Sequence, residues 1–174
     1  NAIIAAVLAR KAKRAVRIIN TREEEFLAGS RPRVPMKTWV KMGFMRDGKI
    51  RAKQIKIVAD NGAYCGKAPG ILGVAALRHD TAYKYADVKT EAYLVYTNKI
   101  PTGAFRGFGN PQMSFAMESH MDVLAEKLGM DPAEIRFRNV VHQGDTSIHG
   151  WEMGSCGIEE CIEKATAAVG WKAV

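Results

Sequence analysis

A glycine-rich segment that runs directly into a helix places the strongest constraint on the fold of this chain. Three glycines fall within residues 103–109, and the next two residues suit a helix start, Asn110 as the cap and Pro111 in the first turn. The spacing of the apolar residues that follow predicts a helix over 111–128 that ends at Gly129. Its buried stripe comprises Met113, Met117, Met121, Leu124 and Leu128. We therefore expect the loop to lead directly into a helix that buries one face.

A β-hairpin over residues 36–59 is the second predicted unit. Apolar residues alternate with Lys37 and Lys41 in its first half, and Asp47-Gly48 tolerates the positive φ angles of a tight turn. The alternation changes phase in the return strand, which predicts a β-bulge near Gln54. We expect the first strand to be half-buried.

The remaining segments complete a mixed fold. The predicted elements are an amphipathic helix at 3–8, a strand at 16–19, a capping box at 21–24, a linker at 31–35, a strand at 88–96, and helices at 132–138 and 158–169. Cys161 lies on the apolar stripe of the last helix and is expected in the core. Because hairpins and helices come in separate blocks, the predicted fold class is α+β.

The composition is that of an ordinary globular domain, with 174 residues of which 47% are hydrophobic and 25% charged. The most apolar run, residues 1–9, is too short to span a membrane. Its basic residues follow the run, whereas a secretory signal carries them in front. The three cysteines form no disulfide framework or CxxC pair. We therefore predict a cytoplasmic protein with no membrane partner.

The net charge of +8 is concentrated in the first third of the chain. Residues 1–60 carry 15 Lys and Arg against 5 Asp and Glu. Such a surplus suits nucleic acid, an anionic cofactor, an acidic partner or simply a solvated face. A nucleic-acid-binding module on residues 10–56 is the competing hypothesis. It lacks an RNP, KH or zinc-finger signature, and the sequence does not interleave its basic residues with exposed aromatics, so we expect no nucleic-acid partner.

Both ends of the sequence suggest a piece of a longer protein. The chain has no initiator Met, and a helical apolar pattern begins within its first residues. The other end stops shortly after Gly170, a glycine typical of the position that follows a helix. We therefore expect that residues needed for catalysis could lie outside this chain.

The glycine-rich loop also has the chemistry of a ligand site. A flexible loop before a helix N-terminus offers free N–H donors and a positive dipole end, which suits an anion or a metal–oxo group. Arg106 adds a cation, and Phe105 and Phe108 are aromatics that a core does not obviously require. The spacing matches neither the GxGxxG of dinucleotide folds nor a P-loop. From the residues alone, a tight turn and a ligand loop both remain open.

Residues 103–112, with the sequence GAFRGFGNPQ, closely resemble the AFRGFG-x-PQ signature of the molybdenum hydroxylases, the xanthine dehydrogenase/aldehyde oxidase family. Further matching segments are VRIINTREE (16–24), GFMRDGKI (43–50), ADNGAY (59–64), DPAEIR (131–136) and the GD pair (144–145). By this resemblance the chain is identified as an internal section of the large, molybdopterin-binding subunit. Residues 1–174 would then form a single segment of its cofactor-binding domain.

The resemblance implies roles for five residues of the loop. Arg106 is placed beside the molybdenum, which it contacts largely through its backbone. Phe105, Gly107 and Gly109 are implied as further cofactor-binding positions, and Phe108 is implied to pack against an aromatic substrate. The implied cofactor is molybdopterin with molybdenum. Iron–sulfur clusters and FAD are expected on other domains or subunits, which are the implied partners.

The implied reaction is hydroxylation of an aromatic, heterocyclic or aldehyde substrate with oxygen drawn from water. Reductive dehydroxylation, as in 4-hydroxybenzoyl-CoA reductase, is the alternative. The family's catalytic glutamate lies in a GEP-type segment that this sequence lacks, so we assign no catalytic residue here and expect the chain alone to be inactive. Purine-oxidising members carry an arginine where a gapless count reaches Val74, with Arg78 four residues further on. Purine oxidation is therefore disfavoured.

Overall fold

A three-stranded sheet with two helices packed against it organises the computed structural model, which describes residues 1–29, 31–79 and 82–172. The strands are β1 (Met36–Phe44), β2 (Ile50–Gly62) and β3 (Asp87–Tyr96), in the order β1-β2-β3. The helices are α1 (Ala2–Ala12), α2 (Arg22–Glu24), α3 (Ala68–Arg78), α4 (Asn110–Leu128), α5 (Pro132–Phe137) and α6 (Ile158–Ala168), with a π-helical turn at Glu25–Gly29. The predicted α+β class is confirmed.

The predicted hairpin is confirmed as the antiparallel pair β1 and β2, but the predicted position of its bulge is wrong. The pairing register shifts between Gly43 and Phe44, which pair with Ala52 and Ile50, so the extra residue is Arg51 rather than a neighbour of Gln54. From this point the inward positions of β2 include a lysine, Lys53, which is only 2% exposed. A lysine is rarely read as a core residue, which explains the error.

Lys53 ties the sheet to the end of α3. Its Nζ donates a hydrogen bond to the carbonyl oxygen of His79 at 3.1 Å and lies 3.8 Å from the ring centroid of Tyr85. The His79 side chain is buried, with Nε2 at 2.9 Å from Oγ1 of Thr90. Burial, together with the charge of Lys53, lowers the pKa of His79 to about 3. His79 is therefore neutral at pH 7.

Two apolar clusters hold the helices against the sheet. The first contains Val34, Ile55, Ile57, Ile71, Met113 and Met117, and the second contains Ile50, Tyr83, Met121, Leu124, Ile135 and Val140. The methionine stripe of α4 thus contributes to both clusters, as its spacing predicts. The helix begins one residue earlier than predicted. Gly109 is its cap, so Asn110 is the first helical residue and does not occupy the cap position that the sequence predicts for it.

β2, α3 and β3 form a parallel crossover unit, which local sequence patterns did not predict. β3 pairs with β2 from Ala52↔Asp87 to Gly62↔Tyr96. Parallel neighbours place the carboxyl ends of both strands at one edge of the sheet. The chain that leaves β3 and the start of α3 therefore lie at the same edge.

Of three predictions for the first and last segments, one is confirmed and two are wrong. The capping box is confirmed by the hydrogen bond from the Glu24 backbone N–H to Oγ1 of Thr21 at 3.2 Å and its reciprocal at 2.7 Å. Residues 16–19 are not a strand, since β-propensity alone does not supply a strand to pair with. Cys161 is exposed, because α6 turns Ile158 and Ile162 inward instead.

None of the helices in the described ranges is long and apolar enough to cross a membrane.

Asn139 joins α5 to the hairpin turn through three side-chain hydrogen bonds. Its buried amide accepts from the Ile50 N–H at 2.8 Å and donates to the carbonyl oxygens of Gly48 and Ile135 at 2.9 and 2.8 Å. We expect Asn139→Ala to destabilise this region by about 2–4 kcal/mol, since it leaves buried backbone groups without partners. Hydrogen exchange of the Ile50 amide in the full-length protein is the measurement. Unchanged protection of that amide would contradict the prediction.

Candidate functional site

The glycine-rich loop follows the carboxyl end of β3, at the edge where β2 also ends. In open sheets this edge of parallel strands is the common place for a ligand site. Three backbone hydrogen bonds hold the approach to the loop against the end of β2. They are Thr97 N–H to Gly62 O at 3.2 Å, Ala63 N–H to Lys99 O at 3.0 Å and Thr102 N–H to Asn61 O at 3.0 Å.

Asp60 fixes the base of the loop. Its carboxylate accepts hydrogen bonds from Oγ1 of Thr97 at 2.6 Å, Nζ of Lys99 at 2.8 Å and the Gly62 N–H at 2.9 Å. The bond from Lys99, followed by those from Thr97 and Gly62, lowers the pKa of Asp60 to about 2. The carboxylate is therefore ionised at pH 7. Its hydrogen bonds with Thr97 and Lys99 hold the segment that leads into the loop against the end of β2.

Three successive residues of the loop have positive φ angles. The values are +92° at Gly107, +48° at Phe108 and +99° at Gly109. A bulky residue in the left-handed region is uncommon and strained. The Phe108 N–H donates a hydrogen bond to the carbonyl oxygen of Phe105 at 3.0 Å, which closes the turn. Its half-buried ring packs beside the core cluster that contains Ile71 and Ala75 of α3.

The two glycines are required by neighbours inside the chain. A Cβ at Gly107 would lie 2.5 Å from Cγ of Pro111, and a Cβ at Gly109 would lie 2.6 Å from the carbonyl oxygen of Ile71 in α3. Both positions also have φ angles that L side chains rarely adopt. The two glycines are therefore needed for the shape of the loop itself. They would also allow the backbone to approach a ligand closely.

Three of the predicted cofactor-binding residues of the loop carry backbone N–H donors without an acceptor among the residues that the structure describes. Within the described part of the chain, no hydrogen-bond acceptor pairs with the backbone N–H groups of Phe105, Arg106 and Gly107. Phe105 is 59% exposed and Arg106 is also exposed. Three successive N–H donors and an exposed guanidinium suit an oxygen-rich anionic group.

The predicted substrate contact, Phe108, is half-buried beside α3. Its ring atoms lie 3.7 Å from the position that a Cβ of Gly70 would take. Farther along the same helix, Val74 is half-buried, and the exposed Arg78 is the last residue, with its guanidinium carbon 5.9 Å from the ring centroid of Trp151. Across residues 1–29, 31–79 and 82–172, no group of three His, Cys, Asp or Glu side chains is arranged to hold a metal ion.

Arg33 is a residue of the site that local sequence patterns assign only to a linker. Its guanidinium donates to the carbonyl oxygen of Arg106 at 2.8 Å and to Oε1 of Gln112 at 3.2 Å, and lies 4.5 Å from the ring centroid of Phe105. The contacts join positions 73 and 79 residues apart. No local pattern could have predicted them.

One argument against nucleic-acid binding is not supported by the structure. Trp39 is 46% exposed, and the ammonium groups of Lys37 and Lys56 lie 5.0 and 5.6 Å from its ring centroid. Lys56 also lies 5.6 Å from the ring of Tyr93. The basic residues are therefore interleaved with exposed aromatics, because the contacts form across strands and are not visible along the sequence.

Comparison with known proteins gives consistent matches over most of the chain. Residues 1–140 match the family described as "Molybdopterin cofactor-binding domain". "Nicotinate dehydrogenase large molybdopterin subunit" of Eubacterium barkeri is 37% identical over 161 residues, 92% of this chain and 38% of that protein. "Xanthine dehydrogenase molybdenum-binding subunit" of Escherichia coli O157:H7 is 37% identical over 163 residues, 90% of this chain and 21% of that protein. The structure of quinoline 2-oxidoreductase from Pseudomonas putida 86 matches with a TM-score of 0.85 and 30% identity, over 97% of this chain and 22% of that one. The chain therefore spans well under half the length of each of these relatives.

Proposed function

Since the chain belongs to the molybdopterin cofactor-binding domain family of xanthine dehydrogenases and aldehyde oxidases, we propose that it forms one wall of the molybdopterin site in a molybdenum hydroxylase. The observation that carries the proposal is the loop at 103–109, with three backbone N–H donors that have no acceptor within the described residues. We propose that residues 1–174 of this chain form a single segment of the cofactor-binding domain. The proposed enzyme is a larger oxidoreductase, and this chain alone is expected to be inactive.

The donors of the loop fit this cofactor. Oxygen atoms on molybdenum or on the pterin and its phosphate accept hydrogen bonds, and the N–H groups of Phe105, Arg106 and Gly107 are fixed donors without a partner in the described structure. We assign cofactor binding to these residues and to Gly109, which precedes the N-terminus of α4. Arg106 is the residue proposed nearest the metal. When bound, the group supplies two-electron redox chemistry at molybdenum.

The chain's own contribution is to orient this group and the substrate beside it. Preorganised N–H donors stabilise negative charge without rearranging during the reaction. Phe108 is proposed to present part of its ring to a planar substrate while the remainder packs on α3. We assign no catalytic base within the chain.

The proposed reaction is hydroxylation of an aromatic, heterocyclic or aldehyde carbon with oxygen from water. Support comes from relatives whose names refer to nicotinate and quinoline, both planar nitrogen heterocycles. Reductive dehydroxylation of an aromatic thioester is the alternative. Purine oxidation is less favoured, because a gapless count reaches Val74 where purine-oxidising members carry an arginine. Arg78 lies about one helical turn away, however, and relatives named xanthine dehydrogenase also match this chain.

Electrons would leave through iron–sulfur clusters and FAD on other domains or subunits, which are the proposed partners. The cytoplasmic compartment likewise stays a prediction. Nucleic-acid binding is retained as a remote alternative because of the basic and aromatic sheet face around Trp39. Binding of that kind would weaken steeply with salt, so a filter-binding series from low to high salt separates the two hypotheses.

The decisive experiment uses the full-length protein purified from cells supplied with molybdate. We expect it to carry molybdenum and pterin in equal amounts, and to oxidise nicotinate, quinoline or an aldehyde with a dye as acceptor. In water labelled with heavy oxygen, the product should contain the label. A protein free of molybdenum, or a product whose new oxygen comes from dioxygen, would contradict the proposal.

Phe108→Ala is expected to weaken substrate binding and to spare the cofactor. Loss of aromatic stacking beyond area burial corresponds to about 0.5–1.5 kcal/mol, so KM should rise by up to about tenfold. Molybdenum and pterin content should stay close to wild type, because the N–H donors belong to other residues. Loss of the cofactor in this variant would show that the ring supports the loop rather than the substrate.

A further inference from the structure

Arg33 lies between the glycine-rich loop and the first turn of α4. One side of its guanidinium is held by α4, since Nη1 donates to Oε1 of Gln112 at 3.2 Å, and the amide of Gln112 donates to the carbonyl oxygen of Val34 at 3.0 Å. The backbone of this segment is also fixed, because the Gly103 N–H donates to the carbonyl oxygen of Pro32 at 3.0 Å. The half-buried arginine is therefore positioned by Gln112 and by the backbone contact of Pro32 with Gly103, independently of its bond to Arg106.

The other side of the guanidinium orients one peptide group of the loop. Nη2 donates to the carbonyl oxygen of Arg106 at 2.8 Å. The peptide between Arg106 and Gly107 is trans, so its C=O and N–H point in opposite directions. When the carbonyl points to Arg33, the Gly107 N–H must point away from it. The direction of that donor therefore depends on a residue 73 positions earlier in the chain.

The same guanidinium supports the exposed aromatic ring of the loop. Its central carbon lies 4.5 Å from the ring centroid of Phe105, a cation–π contact. Hydrogen bonds from two separate nitrogens, together with a cation–π contact from the central carbon, suit the rigid fork of arginine. A lysine ammonium is a single point charge and cannot reproduce that geometry.

We propose that Arg33 is a positioning residue for the loop, which holds the Arg106–Gly107 peptide so that the Gly107 N–H faces the cofactor. The proposal rests on the proposed function for the identity of that ligand. The contacts of Arg33 with Arg106, Phe105 and Gln112 are present whatever the ligand is. The two ideas are therefore tested by separate measurements on the same variants.

The first measurement is hydrogen exchange in the full-length protein at the amides of Phe108 and Asn110. These amides donate to the carbonyl oxygens of Phe105 and Gly107, so their exchange reports opening of the loop. We expect Arg33→Met to accelerate both by at least about tenfold, because a charge-assisted hydrogen bond and a cation–π contact are lost. Arg33→Lys should give an intermediate rate. Arg46→Met, at an exposed arginine in the hairpin turn, is the matched control and should leave both rates unchanged.

The second measurement is the molybdenum and pterin content of the same variants, which should fall in Arg33→Met and recover in part in Arg33→Lys. Unchanged exchange at Phe108 and Asn110 in Arg33→Met would overturn the proposal. So would an equal acceleration at the amide of Val40 in the hairpin, since that result indicates general destabilisation. If the loop opens but the cofactor content is unchanged, the claim that Arg33 turns the Gly107 N–H towards the cofactor is overturned. A wild-type protein free of molybdenum would instead contradict the proposed function, and the exchange result would still show whether Arg33 positions the loop.

Discussion

Gly107→Val in the full-length enzyme should remove most of the bound molybdenum and pterin. At a φ of +92° a β-branched side chain is strained, and its Cβ would lie 2.5 Å from Cγ of Pro111. The strain and the clash together correspond to about 3 kcal/mol or more, so the loop is expected to leave the conformation that presents its N–H donors. Metal analysis and pterin fluorescence of the purified protein give the result, with steady-state kinetics beside them.

Two further variants make this result interpretable. Gly144→Val has a similar φ, +87°, but no atom lies within 4 Å of its Cβ position, so it reports strain without the clash. Arg106→Ala leaves the backbone N–H in place and should be milder than Gly107→Val. The interpretation fails if Gly107→Val keeps both cofactor and rate, or if Gly144→Val loses as much cofactor.

Gly109→Ala should separate α4 from α3. The added Cβ would lie 2.6 Å from the carbonyl oxygen of Ile71 and 3.3 Å from Cβ of Ala75, at a φ of +99°. The carbonyl belongs to a helix backbone and cannot move without breaking packing, so we expect a local loss of about 3 kcal/mol or more. Hydrogen exchange of the amides of α3 and the first turns of α4 in the full-length protein is the measurement.

Gly129→Ala is the control for the backbone angle. Gly129 caps the other end of α4 with a φ of +63° and has no atom within 4 Å of its Cβ position. Its substitution should cost only about 1–2 kcal/mol, the usual penalty for the left-handed conformation. Equal losses of protection for the two variants would mean that the contact with Ile71 yields easily, contrary to the prediction.

Local patterns were sufficient wherever neighbouring residues determine the structure. The hairpin over 36–59, the α4 stripe and the capping box at Thr21 each rest on alternation, helical spacing or a cap within four residues. The family was likewise accessible from the signature at 103–112, and the comparisons confirm it. The roles assigned to Arg106 and Phe108 stay predictions.

Long-range contacts and buried charges account for most of what the sequence could not predict. Lys53 occupies an inward position because the carbonyl oxygen of His79 and the Tyr85 ring receive its ammonium group. The parallel pairing of β3 with β2 depends on the crossover through α3, and the role of Arg33 depends on a loop far along the chain. None of these leaves a periodic signal.

The span of the Arg33 contacts also bears on the order in which the domain folds. Contacts between residues 73 and 79 positions apart require a large loop to close, and such contacts form late because chain entropy opposes them. The β1–β2 hairpin and α4 are local and can form early. We therefore expect the glycine-rich loop to acquire its final shape among the last steps of folding, so that the sheet and α4 can form before this wall of the proposed cofactor site does.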